Sequence, residues 1–452
     1  MKKKFLLINP WIEDVSAYDY WLKPLGLLYI SSMLENMGHE TTLIDNLDRF
    51  DKELNEKYGP PKISYYNTGK FKKAKITNPQ CMKDNNIPRS LKRYGFPEDL
   101  FRAKLREHKN ADAVFVTSMM TYWHYGFSDT IRVIREELKD KKIILGGVYA
   151  TLLPDHAKKY SGADFVSPGT GCLPLKNALN YLEIDNKTDP EWFHKLEPSY
   201  DKYNTNRIVV ITSSTGCPFR CVYCSCWKLW KEFNQRQPEK VVNFIQKTIE
   251  KYDTQEIVFF DDALLIGDIF KDIMKLIIKR NIKSRFHLPN GVHVRFIDKE
   301  MAELMKETNF KTVMLGYETS DPDLQKSTGG KVTDNMFIRG VTNLKNAGFK
   351  TEEVSAYIMA NLPDQREEDV YNAVDKCIDL GILPKVNEFT PIPGTEQFKD
   401  LVNKGFLEEN TDPLLFDNSI LPYWWKHGFS AKTIQDMKDY SNKKRRVYLD
   451  AK

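Results

Sequence analysis

The sequence predicts a tandem α/β protein: a doubly wound, flavodoxin- or Rossmann-like parallel sheet, then a partial (βα)6 barrel, then a short helical C-terminal region. Three observations carry this expectation. At 452 residues the chain exceeds one ordinary hydrophobic core, so two domains are the natural division. Short apolar runs alternate with stretches of helical periodicity from Lys4 to about Lys404. A polar stretch with Pro190 and Pro198, residues 186–206, interrupts the alternation and reads as a linker.

Within residues 1–185 the strands are Lys4–Ile8, Thr41–Ile44, Ala113–Thr117, Lys142–Leu145 and Asp164–Val166. Helices Leu25–Met37, Phe127–Leu138 and Leu173–Leu182 intervene or follow. Ligands of such sheets sit beyond the carboxyl ends of the strands. Those ends carry Asn9-Pro10, Ser118-Met119, Gly146-Gly147-Val148-Tyr149 and Gly169-Thr170-Gly171. Residues 47–108 form a long insertion whose middle is basic, with Lys62, Lys70, Lys72, Lys73, Lys75, Lys83, Arg89, Lys92 and Arg93 against Asp84 alone. It reads as a solvated, partly helical excursion or as a lid whose positive field steers an anionic substrate. Residues 207–404 repeat the pattern six times, with strands near 207–212, 256–260, 284–287, 312–315, 353–359 and 386–389. Residues 405–452 are expected to pack as helices.

With 41% hydrophobic and 29% charged residues and no bilayer-length apolar run, the chain reads as a globular protein without a transmembrane segment. A net charge of +5 and one basic patch are too little for a nucleic-acid partner. Four of the seven cysteines fall between Cys217 and Cys226, which suits metal or cluster binding in a reducing cytoplasm better than a disulfide framework.

Cys217, Cys221 and Cys224 follow a predicted strand at spacing C-x3-C-x2-C. Three soft thiolates on one loop can wrap an iron–sulfur cluster and leave one iron open. Zinc is the competing reading, with Cys226 as a fourth ligand, but Cys224-Ser225-Cys226 is an awkward spacing for it. The segment, with Tyr223 before its third cysteine, resembles the radical S-adenosylmethionine (SAM) superfamily signature. That resemblance implies a [4Fe–4S] cluster on the three cysteines and SAM on the open iron. It also implies reductive cleavage of SAM to a 5′-deoxyadenosyl radical and an external one-electron donor of the flavodoxin or ferredoxin type.

Later strand ends extend the resemblance. Asp261-Asp262 is similar to an acidic version of the family's second-strand motif for the SAM amino group, and a carboxylate suits an ammonium. Asn290 and Arg295 fall where ribose and carboxylate contacts are expected, and His293 between them reads equally as structural. Gly316-Tyr317-Glu318-Thr319 resembles the G-x-E-[ST] segment, which implies that Glu318 contacts SAM. Pro391-Ile392-Pro393-Gly394-Thr395 resembles the P-x-P-G-T turn, whereas Asn361 departs from the glycine usual before Leu362-Pro363.

The N-terminal domain resembles the cobalamin-binding domain upstream of many radical SAM enzymes. Asn9, Pro10, Leu25, Gly26 and Gly146-Gly147-Val148-Tyr149 carry the likeness, and Ser118, Met119, Gly169 and Gly171 complete the implied corrinoid contacts. No D-x-H-x-x-G motif is present, which implies no histidine to cobalt. The resemblance therefore implies a cobalamin-dependent methyltransferase acting on an unactivated carbon of a small or lipid-like molecule. The alternatives are a radical SAM enzyme forming or rearranging bonds without cobalamin, and a zinc-stabilised nucleic-acid-binding protein.

Overall fold

The computed structural model describes residues 2–450, which divide into two compact units: 2–207 with Asn410–Asp417, and Ile208–Glu409 with 418–450. In the first, β1 (Lys4–Asn9), β2 (Glu40–Asp45), β3 (Ala113–Val116), β4 (Lys142–Leu145) and β5 (Phe165–Val166) form one parallel sheet. The spatial order is β5-β4-β3-β1-β2, the flavodoxin-like doubly wound order, which reverses between β1 and β3. Helices α1 (Leu25–Asn36), α2 (Glu98–Glu107), α3 (His124–Glu137) and α4 (Leu173–Tyr181) complete the unit's main frame. The inner strands β1, β3 and β4 are mostly apolar because both faces are covered, with Leu7, Val114 and Ile143 fully buried, whereas the edge strand β2 is largely polar and partly exposed.

The excursion 47–108 is ordered. Lys92–Tyr94 lies between Ile12–Asp14 and Lys73–Lys75 in a three-stranded antiparallel sheet. Arg93, part of the basic run, is internal: it stacks 4.4 Å over Trp11 and pairs with Glu13, Glu98 and Asp129. Lys62, Lys70, Lys73 and Lys75 stay exposed. Residues 186–206 pack with this unit, burying Trp192, Phe193, Tyr200 and Tyr203.

In the second unit, β6 (Ile208–Ile211), β7 (Glu256–Phe259), β8 (Arg285–Val292), β9 (Phe310–Glu318), β10 (Val354–Ala360) and β11 (Leu383–Glu388) pair in sequence order, all parallel. Between successive strands run α5 (Pro238–Tyr252), α6 (Ile269–Lys279), α7 (Lys299–Glu307), α8 (Asp334–Asn346) and α9 (Glu367–Asp379). After β11 come α10 (Glu396–Asn403) and α11 (Ala431–Asp450). This is the six-unit parallel α/β arrangement expected from the sequence, an open six-stranded sheet. Strands β8 and β9 run past their expected ends, β8 through Pro289-Asn290-Gly291 and β9 to Glu318, each with a register irregularity. Such irregularities re-aim side chains at a strand's carboxyl end.

Candidate functional site

The cysteine loop leaves β6 at Thr212. Ser214-Thr215 pairs antiparallel with Asn234-Gln235, which fixes the loop's first limb. Gly216 has φ +79°, and a Cβ there would lie 2.4 Å from the Glu232 carbonyl oxygen, so only glycine fits. Cys217 and Cys224 are half-buried and Cys221 is buried. On Cys221 rests Gly329, whose added Cβ would lie 3.0 Å from the Cys221 Cα. Burial raises all three thiols, Cys217 to about 11. A bound cation reverses that penalty, because it stabilises the thiolate directly. Among the described residues no three His, Cys, Asp or Glu side chains gather about a single-ion point.

The acidic pair divides. Asp261 is buried, and its carboxylate accepts from the backbone N–H and hydroxyl of both Ser213 and Ser214. Burial raises its pKa to about 6, against the hydrogen bonds that favour the charged form. Asp262 remains solvent-accessible although protein crowds it on several sides, and its side chain meets the Cys226 thiol. Asn290 is exposed and donates to the Asp261 carbonyl at 3.4 Å. Arg295 stacks 5.5 Å over Phe219, the ring inside the C-x3-C segment, while His293 meets that ring edge-on at 4.7 Å. His293 is buried with Nδ1 unpartnered, and burial lowers its pKa to about 3, so its imidazole is neutral. Tyr223 lies beside Cys221, within side-chain hydrogen-bonding reach of its thiol.

Glu318 ends β9 at φ +70°, a conformation that strains a non-glycine residue and recurs at functional sites. It pairs with Lys331 at 2.9 Å. Burial alone would lower the Lys331 pKa; Glu318, with Cys221 and Cys224 in electrostatic range, raises it instead. Lys331 was not legible as a site residue. The signal available was Gly329-Gly330 just before it, both at positive φ, bending the chain back to the cysteines. Asn361 takes φ +78°, the conformation that glycine adopts freely and asparagine tolerates. Its Oδ1 accepts from the Phe429 N–H at 2.6 Å, so the side chain serves the C-terminal segment. A cavity of about 270 Å³ abuts the loop beside Val222, lined also by Leu324, Thr328, Leu362, Gln397 and Asp400.

In the first unit several expected contact residues are engaged internally. Asn9 donates to Asp45, which also accepts from Tyr203, closing the ends of β1 and β2 beside buried Pro10. Ser118 donates to the Gly146 carbonyl, and Tyr149 shares a hydrogen bond with His156. Gly147, at φ +93°, has its absent Cβ 2.3 Å from the Ser118 carbonyl oxygen; there glycine permits two strand ends to touch. Met119, Gly146, Val148, Gly169 and Gly171 are half-exposed, and Gly26 is exposed at the first turn of α1 beside half-exposed Leu25. The accessible margin therefore follows the ends of β3, β4 and β5. Beside it, His124 and Tyr125 both bond Asp412 at 2.9 Å.

Residues 211–377 match the radical SAM superfamily. The chain is 24% identical over 344 residues to the anaerobic magnesium-protoporphyrin IX monomethyl ester cyclase of Rubrivivax gelatinosus, covering 68% of this chain and 61% of that protein. It is 24% identical over 343 residues to the hopanoid C-2 methylase of Rhodopseudomonas palustris, covering 70% and 63%. The chain thus spans about three fifths of the length of these relatives. In fold it is similar to the radical SAM methyltransferase TsrM of Kitasatospora setae, whose structure holds cobalamin and a [4Fe–4S] cluster (TM-score 0.64, 16% identity, 89% of this chain and 78% of that one). No helix among the described residues is long and apolar enough to cross a membrane.

Proposed function

We propose, from the radical SAM domain that the chain carries over residues 211–377, that this protein is a cobalamin-dependent radical SAM methyltransferase. The observation that carries the reading is the three-cysteine loop at the carboxyl end of β6, gripped by the neighbouring strand end and flanked by the Glu318–Lys331 pair. Cys217, Cys221 and Cys224 offer three thiols on one short loop, the donor set of a cluster with one open iron. Cys226 meets Asp262 rather than completing a fourth position. Two orphaned buried polar atoms, His293 Nδ1 and Asn361 Nδ2, sit on the segments after β8 and β10 and suit a polar cofactor nearby.

When bound, the cluster supplies the electron that cleaves SAM, and cobalamin supplies a methyl carrier. The chain's own residues orient and exclude. Asp262 offers an accessible carboxylate to the SAM ammonium, and Lys331, held by Glu318, offers a cation beside the cysteines. Arg295 and His293 clamp Phe219, which steadies the loop between Cys217 and Cys221. In the first unit, the half-exposed backbone at Gly146, Gly169 and Gly171 offers an accessible surface to a corrin.

The cyclase relatives favour bond formation over methyl transfer, and the second reading is bond formation or rearrangement without cobalamin. Anaerobic reconstitution with iron, sulfide and hydroxocobalamin separates the two. Stoichiometric cobalt after desalting supports the methyltransferase; iron without cobalt supports the second reading.

A further inference from the structure

Each limb of the cysteine loop's entry is held, and one side chain holds most of it. Asp261 Oδ1 lies 2.9 Å from the Ser213 nitrogen, 2.8 Å from the Ser213 hydroxyl, 2.5 Å from the Ser214 nitrogen and 2.6 Å from the Ser214 hydroxyl. Oδ2 lies 3.2 Å from the same Ser213 nitrogen. From the other side, the Arg236 N–H donates to the Ser213 carbonyl at 2.7 Å. The residues so gripped stand four and three places before Cys217. At 4% exposure, Asp261 has Oδ1 taken by four donors, while Oδ2 only shares the Ser213 N–H.

We propose that Asp261 is a positioning residue, which aims the cysteine loop through Ser213 and Ser214 rather than meeting the cofactor itself. A carboxylate accepting two backbone N–H groups and two hydroxyls is a rigid hub, because charge-assisted hydrogen bonds are short and about twice as strong as neutral ones. An ammonium approaching Asp261 would have to enter a buried setting in which Oδ1 already serves four donors. Asp262 is accessible and has only the weak Cys226 thiol donor to give up. The identity of the cofactor rests on the function proposed above; the grip of Asp261 on the loop does not.

The test compares full-length wild type with Asp261→Asn, with Ser213→Ala/Ser214→Ala and with Asp262→Asn, before and after anaerobic reconstitution. Amide hydrogen exchange at Ser213 and Ser214 reads the grip directly. Iron retained against a chelator, together with the electron paramagnetic resonance spectrum of the reduced protein, reads its consequence. Asp261→Asn takes the charge out of four hydrogen bonds and sets an amide N–H₂ where Oδ2 shares the Ser213 N–H, and exchange is expected to accelerate by about tenfold as the loop opens locally. Iron retention should fall by about tenfold with an altered spectrum, as on losing an outer-shell partner. The serine double variant should move in the same direction, and it decides the matter if Asp261→Asn does not fold. Asp262→Asn should leave exchange and iron retention as in wild type while weakening SAM binding about tenfold, measured by equilibrium dialysis. Wild-type exchange and iron retention in both Asp261→Asn and the double variant would overturn the proposal. A wild-type chain that takes up no iron would instead overturn the proposed function, and the exchange rates would still judge Asp261.

Discussion

Lys331 and Glu318 close their ion pair directly over Gly316, where an added Cβ would lie 2.6 Å from the ammonium and 2.8 Å from the carboxylate. The glycine on β9 is thus the floor on which the pair rests. Lys331→Met should remove the cation and strand a carboxylate that is 14% exposed. The expected cost is about 2 kcal/mol, less than for a fully buried pair because some solvent remains. Thermal unfolding measures the cost, and SAM affinity should fall in the same variant.

The same floor predicts a split for Gly316→Ala. The atoms met are the far ends of flexible side chains, so the loss of stability should stay near 1 kcal/mol. The pair must move, so SAM affinity should fall by about tenfold, which corresponds to 1.4 kcal/mol. Equal losses in Tm and affinity across Lys331→Met and Gly316→Ala would argue for a purely structural pair.

Asp412 reaches the start of α3 across 288 residues to bond His124 and Tyr125. Burial would raise its carboxyl, but His124 and Tyr125 outweigh burial and hold it near 2. Asp412→Ala should cost about 2 kcal/mol, because buried His124 and half-buried Tyr125 lose a charged acceptor. Limited proteolysis should then cut within 405–430 faster than in wild type.

His156 gives a pH signature. Burial lowers its pKa to about 4 from an ordinary 6.5. Between those values the unfolded chain binds a proton that the folded chain refuses, so stability is lost as pH falls from about 6.5 towards 4. His156→Gln removes that term. On going from pH 7.5 to 5 it should be destabilised less than wild type by about 1 kcal/mol, allowing for partial solvent access. Urea unfolding at the two pH values measures it.

Asn361 explains a departure from pattern. The backbone there needs a left-handed residue, so glycine and asparagine both fit, and asparagine adds an acceptor for the Phe429 N–H. Asn361→Gly should cost about 1 kcal/mol for the lost acceptor, and Asn361→Ala about 2 because strain adds to it. Chemical unfolding ranks the two.

What the sequence disclosed followed signal length. The strands from Ile208 to Glu388 and the C-x3-C-x2-C spacing are local patterns, and both were legible. The strands Lys73–Lys75 and Lys92–Tyr94 are three residues each, too short to show a period of two. The return of 410–417 to the first unit is a contact between distant residues and leaves no periodicity. The adjacent carboxylates Asp261 and Asp262 look alike in sequence; only the placement of Ser213 and Ser214 tells them apart.

The most direct test is iron and sulfide content per chain after anaerobic reconstitution, in wild type and in Cys221→Ala. Wild type should hold about four irons, as a [4Fe–4S] site requires, and Cys221→Ala should hold almost none. Zinc in place of iron, or an undiminished four irons in Cys221→Ala, would contradict the assignment of the three cysteines.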